Sequence, residues 1–98
     1  QERNQVAQNR TLKVKYYHDP GHGWVAVKRR LVIESGLENE ISGYSYQNGQ
    51  TVYLEEDDDA YKFVKAMEAK GFVFEVENRF TNRSSPIRSY ASYSTEVR

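Results

Sequence analysis

The 98-residue chain contains no cysteine and only two prolines. The absence of cysteine excludes disulfide bonds, thiolate nucleophiles, cysteine-ligated zinc and iron–sulfur clusters. No hydrophobic run approaches the roughly 20 residues of a membrane-spanning helix, and the polar residues 1–5 are not a signal peptide. We therefore expect a soluble protein of the cytoplasm that has no membrane partner.

The chain also has no net charge, because 14 basic side chains balance 14 acidic ones. This balance excludes a uniformly basic nucleic-acid-binding protein. The charges are nevertheless segregated: residues 1–33 carry seven basic and two acidic side chains, residues 34–77 three and eleven, and residues 78–98 four and one. We expect a bipolar molecule whose acidic centre and basic ends face different partners, or each other across a homodimer.

The length and the apolar pattern indicate one folded domain. Residues 1–10 are almost entirely polar and predict a flexible lead-in. Residues 11–80 carry the periodic apolar pattern of a single α+β domain, and residues 81–98 form a polar segment rich in Arg, Ser and Tyr. Apolar side chains at a spacing of three in that segment, Ile87, Tyr90 and Tyr93, would let it pack back on the sheet.

Alternation and turn residues predict two antiparallel strands at the start of the domain. Residues 11–18 alternate between apolar and polar side chains. A Pro-Gly pair at 20–21 then suits the second and third positions of a tight turn, and residues 24–27 return as a strand. Residues 29–35 predict a short helix ended by Gly36 in a left-handed conformation, although residues 31–33 also fit a longer strand.

The second half of the domain predicts a hairpin, a helix and a further strand. Asn-Gly at 48–49 is the strongest short hairpin signal. Apolar side chains from residue 60 to residue 67 recur with helical spacing, and Gly71 ends that helix. Residues 72–77 alternate again. The expected fold is α+β with two layers, in which an antiparallel or mixed β-sheet is covered by one long and one short helix.

The turn after the first strand contains both histidines of the chain. His18 and His22 lie at its ends, with Asp19 between them. Two imidazoles and a carboxylate suit a divalent transition metal, and with Glu55 or Glu56 they would form a small metal-dependent hydrolase. In the alternative interpretation Asp19 shapes the turn and the histidines are surface groups, so that no cofactor is expected.

Five consecutive carboxylates follow the hairpin at residues 55–59. They lack the alternating spacing and central glycine of an EF-hand loop. Since they lie where a helix begins, Asp57 and Asp58 are predicted to cap its free N–H groups. The remaining carboxylates form an acidic patch suited to a basic partner.

The C-terminal segment combines arginine forks, serine hydroxyls and tyrosine rings. These groups hold phosphates and stack on bases. They predict a nucleotide or nucleic-acid site built from Arg83, Ser84, Ser85, Arg88 and Tyr90. The alternative is a solvated extension, which is the usual role of a serine-rich tail.

Six tyrosines that precede the C-terminal segment point to a protein–protein interface, where this side chain is enriched. They are Tyr16, Tyr17, Tyr44, Tyr46, Tyr53 and Tyr61. Tyr44 and Tyr46 are predicted to project from one side of a strand. The preference of strands for aromatic side chains explains part of the tyrosine content. The predicted interface consists of Tyr44, Tyr46, Tyr53, Trp24, Glu55 and Glu56.

The segments at residues 18–24, 42–46, 53–57 and 82–85 resemble segments of small accessory proteins that phages and other mobile elements encode. The resemblance brings no assigned reaction, cofactor or catalytic residue. It implies an accessory protein made in a bacterial cytoplasm, and such proteins frequently bind host proteins, including components of antiviral defence. The leading hypothesis is a non-enzymatic protein that binds a host macromolecule and inhibits host defence. The alternatives are nucleotide or nucleic-acid binding and a metal-dependent hydrolase.

Overall fold

A computed structural model describes residues 10–96, in which six strands form one open mixed sheet and two α-helices cover one of its faces. The elements are β1 (Arg10–His18), β2 (Gly23–Lys28), α1 (Arg29–Ser35), β3 (Tyr46–Asn48), β4 (Thr51–Glu55), α2 (Asp59–Glu68), β5 (Phe72–Phe80), a 3₁₀-helix (Pro86–Ser89) and β6 (Ala91–Ser92). The predicted α+β class, with a mixed sheet, one long helix and one short helix, is confirmed. The predicted lead-in lies outside the described residues, apart from Arg10, which begins β1.

The strand order is β5-β1-β2-β4-β3-β6. β1 and β5 are parallel and pair from Arg10↔Phe72 to His18↔Phe80, whereas the other neighbouring strands are antiparallel. The parallel pair requires a crossover, and α2 lies in it. This arrangement places α2 over the centre of the sheet.

The core lies between the sheet and the two helices. Alternate side chains of β2 and β4 face the helices, and Phe63 and Met67 of α2 are fully buried against them. Each such side chain contributes roughly 1.5–3 kcal/mol when it is removed from water. The opposite face of the sheet carries the other alternate residues and no α-helix among the described residues.

The first helix matches its prediction. α1 spans Arg29–Ser35, and Gly36 ends it at φ 84° with its N–H donating to the carbonyl of Ile33 at 3.0 Å. The alternative of a longer strand over residues 31–33 is wrong, since Val32 is fully buried on the inner face of this helix.

Neither helix within residues 10–96 is long and apolar enough to cross a membrane.

The start of α2 differs from its prediction. Asp58 is the N-cap residue, but its side chain accepts no capping hydrogen bond. Instead the Glu55 carboxylate accepts the backbone N–H groups of Asp57 at 3.0 Å and Asp58 at 3.3 Å. Asp59 turns inward and is fully buried. The predicted capping by Asp57 and Asp58 is therefore wrong, because the preceding strand supplies the acceptor.

The predicted hairpin forms with a shifted turn. Asn48 pairs with Thr51, so Gly49 and Gln50 make the turn and Asn48 ends β3. Gly49 has φ 62°, and no non-glycine residue in the described chain has a positive φ. Tyr44 lies before β3 and not within it.

The C-terminal segment packs on the sheet. Ile87 is 3% exposed, and β6 extends the sheet by pairing with β3. Behind this edge the buried amide of Gln47 accepts hydrogen bonds from the guanidinium of Arg29 and from the N–H of Ser94. Arg29 in turn donates to the carbonyl of Ser94 at 2.9 Å. Residues 85–94 are thus part of the fold and not a solvated extension.

Candidate functional site

A cleft of about 370 Å³ opens on the sheet face opposite the helices. Trp24 of β2 and Glu55 of β4 are register partners on this face, and the C-terminal segment closes one side. We call it the Trp24 cleft. Its lining residues are His22, Trp24, Tyr44, Tyr46, Glu55, Asp57 and Arg88. The structure thus brings together four of the predicted interface residues and one residue of the predicted anion site.

The Asp19 side chain is fully buried behind the cleft and anchors one of its walls by pairing with Arg88. Its Oδ1 accepts the backbone N–H groups of Gly21 at 3.0 Å and His22 at 2.9 Å. Its Oδ2 accepts the N–H of Ser85 at 2.9 Å. Arg88 donates to both oxygens, from Nε at 2.6 Å and from Nη2 at 2.8 Å. These donors, Arg88 first, hold the pKa of Asp19 well below its usual range, so Asp19 is a charged anchor of the turn.

Arg88 forms one wall of the cleft. Its guanidinium carbon lies 5.4 Å from the ring centroid of Trp24, and the hydrogen bonds to Asp19 raise the pKa of the guanidinium. The Trp24 ring lies 6.1 Å from the rings of both His22 and Tyr46. Trp24 is 2% exposed and is the only tryptophan of the chain, so its fluorescence reports on this cleft.

Glu55 and Asp57 form the acidic side of the cleft. The Glu55 carboxylate is oriented by the backbone N–H groups that it accepts at the start of α2. Within residues 10–96 neither carboxylate forms an ion pair with a basic side chain. The charge of Arg88 is matched by Asp19, so the uncompensated charge of the cleft is negative.

Glu56, which the sequence placed in the interface, points elsewhere. Its carboxylate accepts the N–H of Gly23 at 3.1 Å and the hydroxyl of Tyr16 at 3.2 Å. Burial and then the Glu56 charge raise the pKa of Tyr16. Glu56, directly after β4, is therefore hydrogen-bonded to β1 and β2 and does not line the Trp24 cleft.

The three predicted interface tyrosines occupy different environments. Tyr44 is 79% exposed at the rim of the cleft, and Tyr46 is half-buried in its wall. Tyr53 lies outside the cleft, with its ring 5.3 Å from that of Tyr90 and 6.1 Å from that of Tyr17. Burial raises the pKa of Tyr53.

Asp59 positions the segment that carries Tyr44. Its Oδ2 accepts the N–H of Ser42 at 3.0 Å and the Ser42 hydroxyl at 2.7 Å. The same oxygen accepts the hydroxyl of Ser45 at 2.6 Å, and Ser45 Oγ accepts the N–H of Glu55. A buried carboxylate at the start of α2 therefore fixes both Tyr44 and Glu55 at the rim of the cleft.

The five residues of the predicted anion site do not converge on a space that an anion could occupy. The guanidinium of Arg88 is committed to Asp19, and the hydroxyl of Ser85 accepts a backbone N–H of the 3₁₀-helix at 3.2 Å. Tyr90 packs on a ring of β4, whereas Arg83 and Ser84 are exposed. Two of the five predicted ligands thus stabilise the fold of the segment.

The predicted metal site also lacks a ligand set. His18 stacks between Tyr16 and Phe80, with ring centroids 4.0 and 4.5 Å away. Asp19 is saturated by hydrogen-bond donors, and His22 faces the Trp24 cleft. No group of three or more His, Asp or Glu side chains within residues 10–96 is placed to hold a metal ion.

Sequence reasoning missed the contact that shapes the cleft. Asp19 and Arg88 are 69 residues apart, and no local pattern pairs them. His22 and Asp57 were expected in a metal site and in a helix cap, yet both line the cleft. The sequence signal at Asp19 is a carboxylate in a tight turn, and this signal predicts the geometry of the turn but not the partner of the carboxylate.

Comparison with known proteins assigns no family to the chain. Comparisons with protein-family models, with curated proteins and with solved structures found no match.

Proposed function

We propose that this protein is a small non-enzymatic binding protein whose Trp24 cleft grips an arginine or lysine side chain of a host protein. The observation that carries the proposal is the convergence of aromatic rings and two uncompensated carboxylates in one cleft of about 370 Å³. Ligand pockets commonly measure about 300–1,000 Å³, so this cleft has room for one long side chain. The resemblance to phage accessory proteins supports a partner in the bacterial cytoplasm, and inhibition of host defence is the proposed consequence.

Charge and aromatic contacts favour a cationic side chain over other occupants. Glu55 and Asp57 offer acceptors for charge-assisted hydrogen bonds, which are stronger than neutral ones. Tyr44 and Tyr46 offer ring faces, and a cation near an aromatic face gains about 0.5–1 kcal/mol at exposed sites. The Trp24 ring is already covered by Arg88, so the partner contacts the two tyrosines.

The exposed position of Tyr44 and Asp57 makes the proposal testable without unfolding the chain. We would titrate the protein with an oligo-arginine peptide and follow Trp24 fluorescence, with oligo-glutamate as the negative probe. Asp57→Lys is expected to weaken oligo-arginine binding by about tenfold or more, since attraction becomes repulsion. Tyr44→Ala is expected to weaken it by about two- to fivefold.

Matched controls lie on α2, on the other side of the sheet. Tyr61 is 60% exposed, and Glu68 is exposed, so Tyr61→Ala removes the same ring and Glu68→Lys makes the same reversal of charge away from the cleft. Both controls should bind like the wild type. A host protein captured from bacterial lysate should be displaced by oligo-arginine and lost in Asp57→Lys. Equal binding of oligo-glutamate, or unchanged affinity in Asp57→Lys, would refute the proposal.

A further inference from the structure

A second groove, of about 310 Å³, lies on the same face of the sheet as the Trp24 cleft. Glu55, the last residue of β4, lines the Trp24 cleft, whereas Thr51, the first residue, lines this groove. The two sites therefore occupy opposite ends of β4. We call the second site the lysine groove; its lining includes Lys13, Lys15, Lys28, Tyr17 and Tyr53.

The lysine groove carries three unpaired positive charges. Lys13 and Lys15 project from β1, and Lys28 ends β2. None of the three forms an ion pair with a residue of the described chain. Glu75 and Glu77 on β5 are the register partners of Lys13 and Lys15, and Glu77 is paired with Arg79. Neither glutamate lines the groove, so the charge of its lining is positive and attracts a polyanion, opposite to that of the Trp24 cleft.

Aromatic rings lie among these lysines. Tyr17 and Tyr53 are half-buried, with ring centroids 6.1 Å apart and planes tilted by 58°. Lys15, on β1, and Tyr53, on β4, are both register partners of Ala26, so they lie in one row across the sheet. Lysines that neutralise phosphates beside rings that stack on bases are the elements of single-strand recognition.

We propose that the lysine groove binds single-stranded nucleic acid. An acidic peptide would satisfy the lysines but would make no use of the tyrosine rings, whereas unpaired bases stack on them. A duplex keeps its bases stacked internally and does not present them to half-buried rings. This site differs from the one predicted in the C-terminal segment, where Arg88 and Ser85 are committed to internal contacts.

Fluorescence anisotropy with a labelled oligothymidylate tests the proposal through its salt dependence. Each phosphate neutralised on a single strand contributes about −0.7 to the slope of log K against log salt, so three lysines predict a slope of about −2. Lys13→Ala combined with Lys15→Ala should lower the affinity and reduce the slope to about −0.7. The matched control combines Lys65→Ala with Lys70→Ala, which removes equal charge from α2 and its C-terminal end, and it should leave both values unchanged.

Replacing the rings tests the stacking contribution separately. Tyr17→Leu and Tyr53→Leu keep apolar volume, so each should lower the affinity by about fivefold or more without changing the salt slope. Oligo-arginine binding to the Trp24 cleft should be unaffected in all these variants. Unchanged affinity in the Lys13 and Lys15 double variant, or equal affinity for oligo-glutamate or for duplex DNA, would overturn the proposal.

Discussion

Asp19 and Arg88, 69 residues apart, form a two-point ion pair that joins the first turn of the protein to its C-terminal segment. The pair buries the Asp19 side chain and lays the guanidinium over Trp24. One contact thus stabilises the segment and builds a wall of the Trp24 cleft. Changes at Asp19 should therefore affect both stability and the cleft.

Asp19→Asn removes the negative charge and leaves Arg88 without its partner. We expect a lower melting temperature together with a red shift of Trp24 fluorescence, because the segment that covers the ring loosens. Asp58→Asn is the matched control, since the Asp58 side chain is 74% exposed. Thermal unfolding followed by fluorescence measures both effects. A variant with wild-type melting and emission would contradict the role of Asp19.

The same pair predicts an acid-sensitive stability. The pKa of Asp19 in the folded protein is below that of the unfolded chain, which is about 3.9. Its contribution is therefore complete from about one pH unit above that value and is lost as the pH falls toward the lower, folded-state pKa. Urea unfolding of the wild type should show a falling free energy between about pH 5 and pH 2. The curve for Asp19→Asn should be flatter, and parallel curves would rule the linkage out.

Ile87→Ala tests whether the C-terminal segment belongs to the core. Ile87 is 3% exposed, so the change should lower the free energy of unfolding by about 2–4 kcal/mol. Ile33→Ala makes the same change at a side chain that is 49% exposed and should cost less than about 1 kcal/mol. Chemical denaturation gives both values. Equal costs would show that residues 85–94 do not contribute to the core.

Ser45→Ala tests the anchor beneath Tyr44. The hydroxyl of Ser45 donates to Asp59 and accepts the N–H of Glu55. These hydrogen bonds lie beneath the part of the cleft that Tyr44 and Glu55 form. Its loss should cost about 1–3 kcal/mol, because buried polar atoms lose their partners. Ser84→Ala, at an exposed serine, should stay within about 0.5 kcal/mol of the wild type. Urea unfolding compares the two variants, and a silent Ser45→Ala would exclude this anchor.

The helices were predictable because their signals are local. Gly36 stops α1 where its sequence indicates, and the apolar spacing of residues 60–67 places α2 on the sheet. Hairpin formation at Asn48 and Gly49 was equally predictable, but the turn residues were not. Pairing of Asn48 with Thr51 moves the turn by one position, since the register depends on what lies on both faces of the strands.

The partners of the polar residues could not be read from the chain. Gln47 is a polar residue directly before the Asn-Gly signal of the hairpin, yet it is buried because Arg29 and Ser94 donate hydrogen bonds to its amide oxygen. In the same way Asp59, and not Asp57 or Asp58, became the buried acid of α2, because two serines of another segment donate to it. Such contacts depend on donors far away in sequence.

Composition and periodicity alone determined that this protein is a two-layer α+β domain with neutral total charge and no cysteine chemistry. Tertiary structure decided how those charges are used. The antiparallel pairing of β2 with β1 and with β4 places the Trp24 cleft and the lysine groove at opposite ends of β4. The ion pair of Asp19 with Arg88 leaves the carboxylates of the Trp24 cleft uncompensated. Local sequence determines which secondary structure each segment prefers and which side chains face the core. The separation of charges arises from strand pairing and ion pairs between residues that are far apart along the chain.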